Sequence, residues 1–147
     1  MSIINNNEAI GVLALHSLVN KAEKLSLANC FIALPLLFDK KIRNYLKRKT
    51  TNILSAQQLI TDKYGIFVGF NEKFNDCLLT TTNSIVMGKE MGLFSLEGNF
   101  LVSSRLYNLE STVRAKKLNE VEDASTNAIQ LLTESPEELY SLLRIKL

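Results

Sequence analysis

Few residues of this chain could carry out acid–base, nucleophilic or metal chemistry, and their spacing works against each. His16 is the single histidine. It falls mid-helix among apolar neighbours, with no carboxylate at a helical spacing to orient it as a general base, so it reads as a core or partly buried histidine. Cys30 and Cys77 both sit in apolar runs, where a free cysteine behaves as a small hydrophobe, and nothing suggests the secreted setting in which they would pair. Glu122–Asp123 and Glu137–Glu138 are adjacent in sequence, which splays each pair by about 100° around a helix. The second pair is better explained by the favourable N-terminal end of a helix dipole. Ser95, in "GLFSLEG", lacks the small-residue elbow of a hydrolase nucleophile. No His/Cys/Asp/Glu group has metal-ligand spacing, and no glycine loop has the phosphate-cradling pattern. The expectation is a protein that is not an enzyme, with no metal and no cofactor.

The residues that do stand out are cationic. Lys40, Lys41, Arg43, Lys47, Arg48 and Lys49 crowd the helix-forming stretch that follows "CFIALPLLFD". Three readings suit them: a solvated helix face, a site for an acidic protein surface, or a contact with nucleic-acid phosphates. The net charge is only +2, so any grip on nucleic acid has to be local. A smaller basic cluster, "VRAKK" at Val113 to Lys117, stands at a helix start, where the dipole disfavours cations. The tail "ELYSLLRIKL" supplies Leu139, Leu142, Leu143, Ile145 and Leu147, which either close the core or offer a partner interface.

These groups must be positioned by a chain of 147 residues, enough for one domain spanning 1–147. Hydrophobic residues make up 46% and charged ones 22%, an ordinary globular mixture. Glu8 to Lys24 forms a helix with two apolar faces: Ile10, Leu13, Ala14, Ser17 and Leu18 on one, Val12, Leu15, Val19 and Ala22 on the other. After the loop "SLAN", the run Cys30 to Phe38 is about half the ~20 residues needed to span a bilayer. It reads as core, and no membrane association is expected. Phe31 to Leu34 leads into a helix from Pro35 to about Lys49, because proline is best tolerated in a first turn. Leu36, Leu37, Ile42, Tyr45 and Leu46 face inward there, and Lys40, Lys41, Arg43, Lys47 and Arg48 face outward or flank the groove. Ser55 and Gln58 have capping-box spacing and open a short helix to about Asp62. "KYGIFVGF" is a loop or a short strand.

A long helix from Phe70 to Met91 follows, with Phe70, Phe74, Cys77, Leu78, Thr81, Ile85 and Gly88 on its inner face. Leu93 to Leu96 and Phe100 to Val102 flank "EGN" as a hairpin. Another helix begins near Ser111, burying Leu118, Val121, Ser125, Ala128, Ile129 and Leu132. Ser135, Pro136 and Glu138 have the N-cap, first-turn and capping-box identities of a final helix, Glu137 to Leu143. The fold class is mainly α with a small β-hairpin, arranged as a winged-helix-like single domain. Phe70–Met91 takes the recognition position and Gly92–Ser104 forms the wing. "MSIINNNEAIG" has no cationic leader and does not read as a signal peptide, so a cytoplasmic location is expected.

Three stretches carry a family resemblance: "NNNEAIGVLALHSLV", "IALPLLFDKKIRNYL" and "NAIQLLTESPEELYSLLRIKL". Their order and spread over nearly the whole chain resemble the middle components of bacterial three-component ABC-ATPase systems, which include the Lamassu defence systems. The resemblance implies a non-catalytic adaptor or regulatory subunit, coupling an SMC/Rad50-like ABC ATPase to an effector, often a nuclease, in anti-phage or anti-plasmid defence. It gives the basic residues the role of a partner or DNA-facing ridge within the complex. The alternative is a stand-alone winged-helix DNA-binding regulator. Against it stands "NEKFNDCLLTTTNS", a candidate recognition helix with one lysine and no arginine, poor equipment for reading a major groove.

Overall fold

The first helix, α1 (Ser2–Ala22), stops where Glu23 takes a left-handed backbone with φ 69. In the computed structural model the backbone is described for residues 2–104 and 116–147, and side chains for 8–104 and 119–147. Immediately after Glu23 the chain forms a strand, β1 (Lys24–Ser26), where the sequence suggested a helix end and a loop. Ser26 then caps α2 (Leu27–Phe38), its Oγ accepting from the Asn29 amide at 3.2 Å. That cap overturns the expected lead-in at Phe31 to Leu34. The helix is already running when it meets Pro35, which lies inside α2 rather than in a first turn. Proline forfeits a backbone bond and crowds the preceding turn, and α2 ends shortly beyond it.

Asp39 adopts an extended backbone (φ −76, ψ 124), and its Oδ2 accepts from the Ile42 amide at 3.0 Å to start α3 (Lys40–Leu46). The single helix expected from Pro35 to Lys49 is therefore the end of one helix and the whole of another. Ser55 caps α4 (Ala56–Asp62), with Gln58 donating its amide to Ser55 Oγ at 3.1 Å. The ambiguous "KYGIFVGF" holds a short helix, α5 (Tyr64–Phe67), and Gly69 at φ 75 leads into α6 (Phe70–Asp76).

The long helix expected over Phe70–Met91 is likewise two, α6 and α7 (Leu78–Glu90), joined at Cys77. The Cys77 amide reaches both Lys73 O (3.1 Å) and Phe74 O (3.2 Å), which tightens the last turn of α6. The break re-aims the apolar face, so that Phe70 and Phe74 are buried from α6 and Thr81, Ser84, Ile85 and Gly88 from α7.

The hairpin forms as expected, with β2 (Phe94–Glu97) and β3 (Phe100–Ser103) paired antiparallel across Gly98–Asn99. Gly98 sits at φ 60 in the first turn position, where glycine is favoured. β1 joins on the far side of β3, with Leu25 opposite Leu101, so the sheet order is β1-β3-β2. Helix α8 (Lys116–Leu132) and α9 (Pro136–Leu142) complete the chain. The expected start near Ser111 and the Leu118 side chain lie outside the described residues. Val121, Ser125, Ala128 and Leu132 are buried as expected, and Ile129 partly. Ser135 Oγ accepts the Glu138 amide at 3.3 Å, so the predicted cap of α9 is formed.

Helix α1 lies among α2, α7 and α8, which accounts for apolar residues on both its faces. Leu15 and Leu18 from α1 are fully buried with Ile32, Leu34 and Leu37 from α2. Close approach of α1 to α7 depends on small residues. Ser84 Oγ donates to Glu8 O at 3.2 Å, and a Cβ on Gly11 would collide with that same Oγ. Gly88 lies flat against the buried ring of Phe94, where an added Cβ would collide with Cζ and stand 2.6 Å from Cε2. The structure is mainly α-helical, with one small antiparallel sheet.

Candidate interaction surface

The basic ridge is built by the two ends of α3, and it divides into internal and external cations. Arg43 was expected to face outward or flank the groove; it is buried, at 7% exposure. Its Nη1 donates to Leu37 O and Phe38 O, both at 3.1 Å, and so satisfies the last carbonyls of α2. Its Nε lies 3.4 Å from Glu120 Oε2 on α8, an ion-pair distance. Half-buried Lys47 reaches the other oxygen of Glu120 at 3.2 Å. One carboxylate thus ties two of the predicted site cations to the next helix. Lys40 and Lys41 at the start of α3, and Arg48 and Lys49 beyond its end, remain exposed. Asp39 pairs with Lys73 at 2.7 Å. "VRAKK" falls outside the described side chains.

A second surface lies on α7. Leu79 is 72% exposed, Met91 at the helix end 51%, and Val86 48%, with Leu78 and Met87 also exposed. The only basic residue in α7 is Lys89. An exposed helical face of this composition suits a protein partner, because nucleic-acid contact needs cations at the phosphates. The sequence reading placed Leu78 inward and gave the other apolar residues of this face no role. The signal was present: Leu79, Val86 and Met87 fall outside the inward set of α7 and are nevertheless apolar.

Residues 7–147 match the family described as ABC-three component (ABC-3C) system Middle Component 3. The chain belongs to this family. No curated protein and no solved structure matches it. The family agrees with the resemblance read from the sequence to middle components of three-component ABC systems.

In this middle component His16 and Cys30 are buried and Cys77 half-buried. Nδ2 of Asn20 donates to His16 Nε2 at 3.0 Å, and Asn20 Oδ1 accepts from Ser103 Oγ at 2.6 Å, which links α1 to β3. Burial lowers the His16 pKa, and the Leu93 backbone opposes that shift. A base with a depressed folded pKa lets the unfolded chain take up the proton first. The His16 contribution is therefore intact above the ordinary pKa of about 6.5 and is lost as pH falls below it. His16→Gln is expected to flatten the fall of melting temperature between pH 7 and pH 5, measured against wild type in the same buffers. Parallel curves would show that His16 is not the titrating group.

Burial pushes the Cys30 thiol up to about 12 and the Cys77 thiol, with help from Asp76, up to about 11. Thiolate is the reactive form, so both cysteines should label slowly with a disulfide reagent at pH 8 and rapidly in denaturant. Fast labelling of the folded chain would contradict the packing around them. Both are free cysteines. Among the described residues no group of three or more His, Cys, Asp or Glu could hold a metal. Among the same residues no helix is long and apolar enough to cross a membrane. The apolar tail is mostly spent internally. Leu139 and Leu143 are buried, and the Tyr140 hydroxyl donates to Ala28 O.

Proposed function

We propose that this chain is a non-catalytic adaptor that couples an SMC/Rad50-like ABC ATPase to an effector, often a nuclease, in bacterial anti-phage or anti-plasmid defence of the Lamassu kind. The observation that carries the reading is the family match over residues 7–147. The apolar face of α7 supports it as a place for a protein partner, and the exposed cations Lys40, Lys41, Arg48 and Lys49 supply a separate interface or DNA-facing ridge. Arg43 and Lys47 act in the proposal as anchors of that ridge through Glu120. The site of action is the cytoplasm.

The test is a tagged pull-down of the chain co-expressed with the products of its neighbouring reading frames, followed by size-exclusion chromatography. Co-elution with a long coiled-coil ATPase is the expected result. Leu79→Asp with Met87→Asp should then weaken capture about tenfold or more, since a central apolar anchor is worth about 2 kcal/mol. Because both positions are exposed, the melting temperature should hardly move.

One observation favours the alternative, a winged-helix DNA-binding regulator. A helix runs into a hairpin whose second strand also pairs with a strand from the N-terminal part of the chain, the arrangement expected of a winged helix. Elution of the chain alone, with salt-sensitive binding of duplex DNA, would select that reading over the adaptor.

A further inference from the structure

β1 is an edge strand whose outward side faces a groove. In the sheet order β1-β3-β2 it pairs, among the described residues, with β3 alone. Ser103 donates its amide to Glu23 O at 2.9 Å and Leu27 donates to Asn99 O at 2.8 Å, so the odd-numbered residues direct their backbone groups at β3. Strand geometry alternates, which leaves the amide and carbonyl of Lys24 and the amide of Ser26 directed away from the sheet. Such a row of backbone groups is a template for another strand. Lysine often guards an exposed edge, but here the Lys24 ammonium is drawn over the ring of Phe100, 4.8 Å from its centroid.

Beside this edge runs a groove of about 860 Å³. All of β1 and the first turn of α2 line one side, Phe31 and Phe100 contribute aromatic surface, and the connection from Leu132 to Glu137 forms the far wall. Asn29, also lining the groove, is only 1% exposed. Its Nδ2 donates to Leu132 O (3.0 Å) and Glu134 O (2.8 Å), while Oδ1 has no hydrogen-bond partner. Buried amide oxygens are rarely left so. Glu134 and Glu137 on the same wall have no salt bridge among the described residues.

We propose that this groove takes an extended segment of a partner protein, apolar and carrying a basic residue, which adds as a further strand along the outer edge of β1. The main-chain bonds come from Lys24 and Ser26, the apolar side chains lie against Phe31 and Phe100, and the basic residue meets Glu134 and Glu137. A second copy of the chain fits less well, since a symmetric pair of β1 edges would bring identical acidic walls together. The proposal rests on the adaptor reading, which supplies the partner.

The experiment is hydrogen–deuterium exchange on the full chain, alone and in the complex with the co-expressed products of the neighbouring reading frames. The Lys24 and Ser26 amides should exchange at least tenfold more slowly in the complex. Lys24→Pro removes an outward amide without touching a β3 bond but strains left-handed Glu23 before it; a folded variant should weaken capture tenfold or more. Glu134→Lys with Glu137→Lys should do the same, and this pair keeps the test sound if the proline variant fails to fold. A complex that forms with β1 exchanging as in the free chain overturns strand addition and leaves the adaptor reading standing. Protection of β1 that appears in the isolated chain as its concentration rises identifies a second copy and overturns the partner assignment. Absence of any complex overturns the adaptor reading and this proposal with it.

Discussion

Gly88→Val is expected to lower the melting temperature by about 5–10 °C. The first added carbon has nowhere to go. Phe94 lies across Gly88 with two further ring atoms at 2.6 and 2.7 Å from the Cβ position, and the ring itself is 2% exposed. Phe94 opens β2, and the Leu93 amide beside it donates to Gly88 O at 3.0 Å, so the two backbones are held together and cannot simply part. Overpacking a fixed contact costs about 1–3 kcal/mol and occasionally more, and a β-branched residue adds rotamer restriction in the helix. For a chain of this size each kcal/mol moves the midpoint by about 2–4 °C. Gly88→Ala gains about 1 kcal/mol of helix propensity and should lose less than valine. The decisive measurement is the double variant with Phe94→Leu. Recovery of part of the loss identifies the ring contact as its cause, whereas strictly additive losses would point elsewhere.

Arg43→Ala should cost about 2–3 kcal/mol in a urea titration, from two lost charge-assisted hydrogen bonds and a partly buried ion pair. Two losses combine. The carbonyls of Leu37 and Phe38 lose the guanidinium that satisfies them, and Glu120 loses one of its cations. Arg43→Lys should recover little, because an ammonium cannot hold two carbonyls and a carboxylate in one planar fork. Lys40→Ala and Lys41→Ala, a short distance along the same ridge, should change stability by no more than about 0.5 kcal/mol. Equal stability of Arg43→Ala and wild type would remove the argument for an internal role. For binding studies the distinction matters at once: a loss of partner or duplex binding in an Arg43 variant reports on folding first. Lys40, Lys41, Arg48 and Lys49 are the cations to mutate for the surface itself.

The sequence was most readable where a signal is local. Ser135, Pro136 and Glu138 start α9 as expected, and Gly98 turns the hairpin, because each acts within a few residues of itself. Pro35 misled for the opposite reason: its preference for a first turn is weaker than the cap at Ser26 and the burial of eight of the twelve α2 residues. The break at Cys77 leaves the helical spacing of Phe70, Phe74 and Ile85 almost unchanged, so periodicity alone runs straight through it. β1 is three residues long and exists only because Lys24 to Ser26 meet β3. The cationic ridge was legible as composition but not as geometry, since the partner of Lys47 is a carboxylate 73 residues away. The apolar face of α7 was visible as leftover Leu, Val and Met, and its exposure follows only once α1 has taken the other side.

The placement of α1 has a consequence for the chain as it is made. Ser17 on α1 meets Ser125 on α8 across 108 residues at 3.2 Å, and β1 waits for a strand that begins at Phe100. At the ribosome, adding about 5–20 residues per second, the N-terminal helix emerges several seconds before α7 and α8, which cover much of it. During that interval its apolar faces are open to chaperones or to whichever companion protein is being translated nearby. Timing of synthesis, as much as final affinity, then helps decide what this helix meets first.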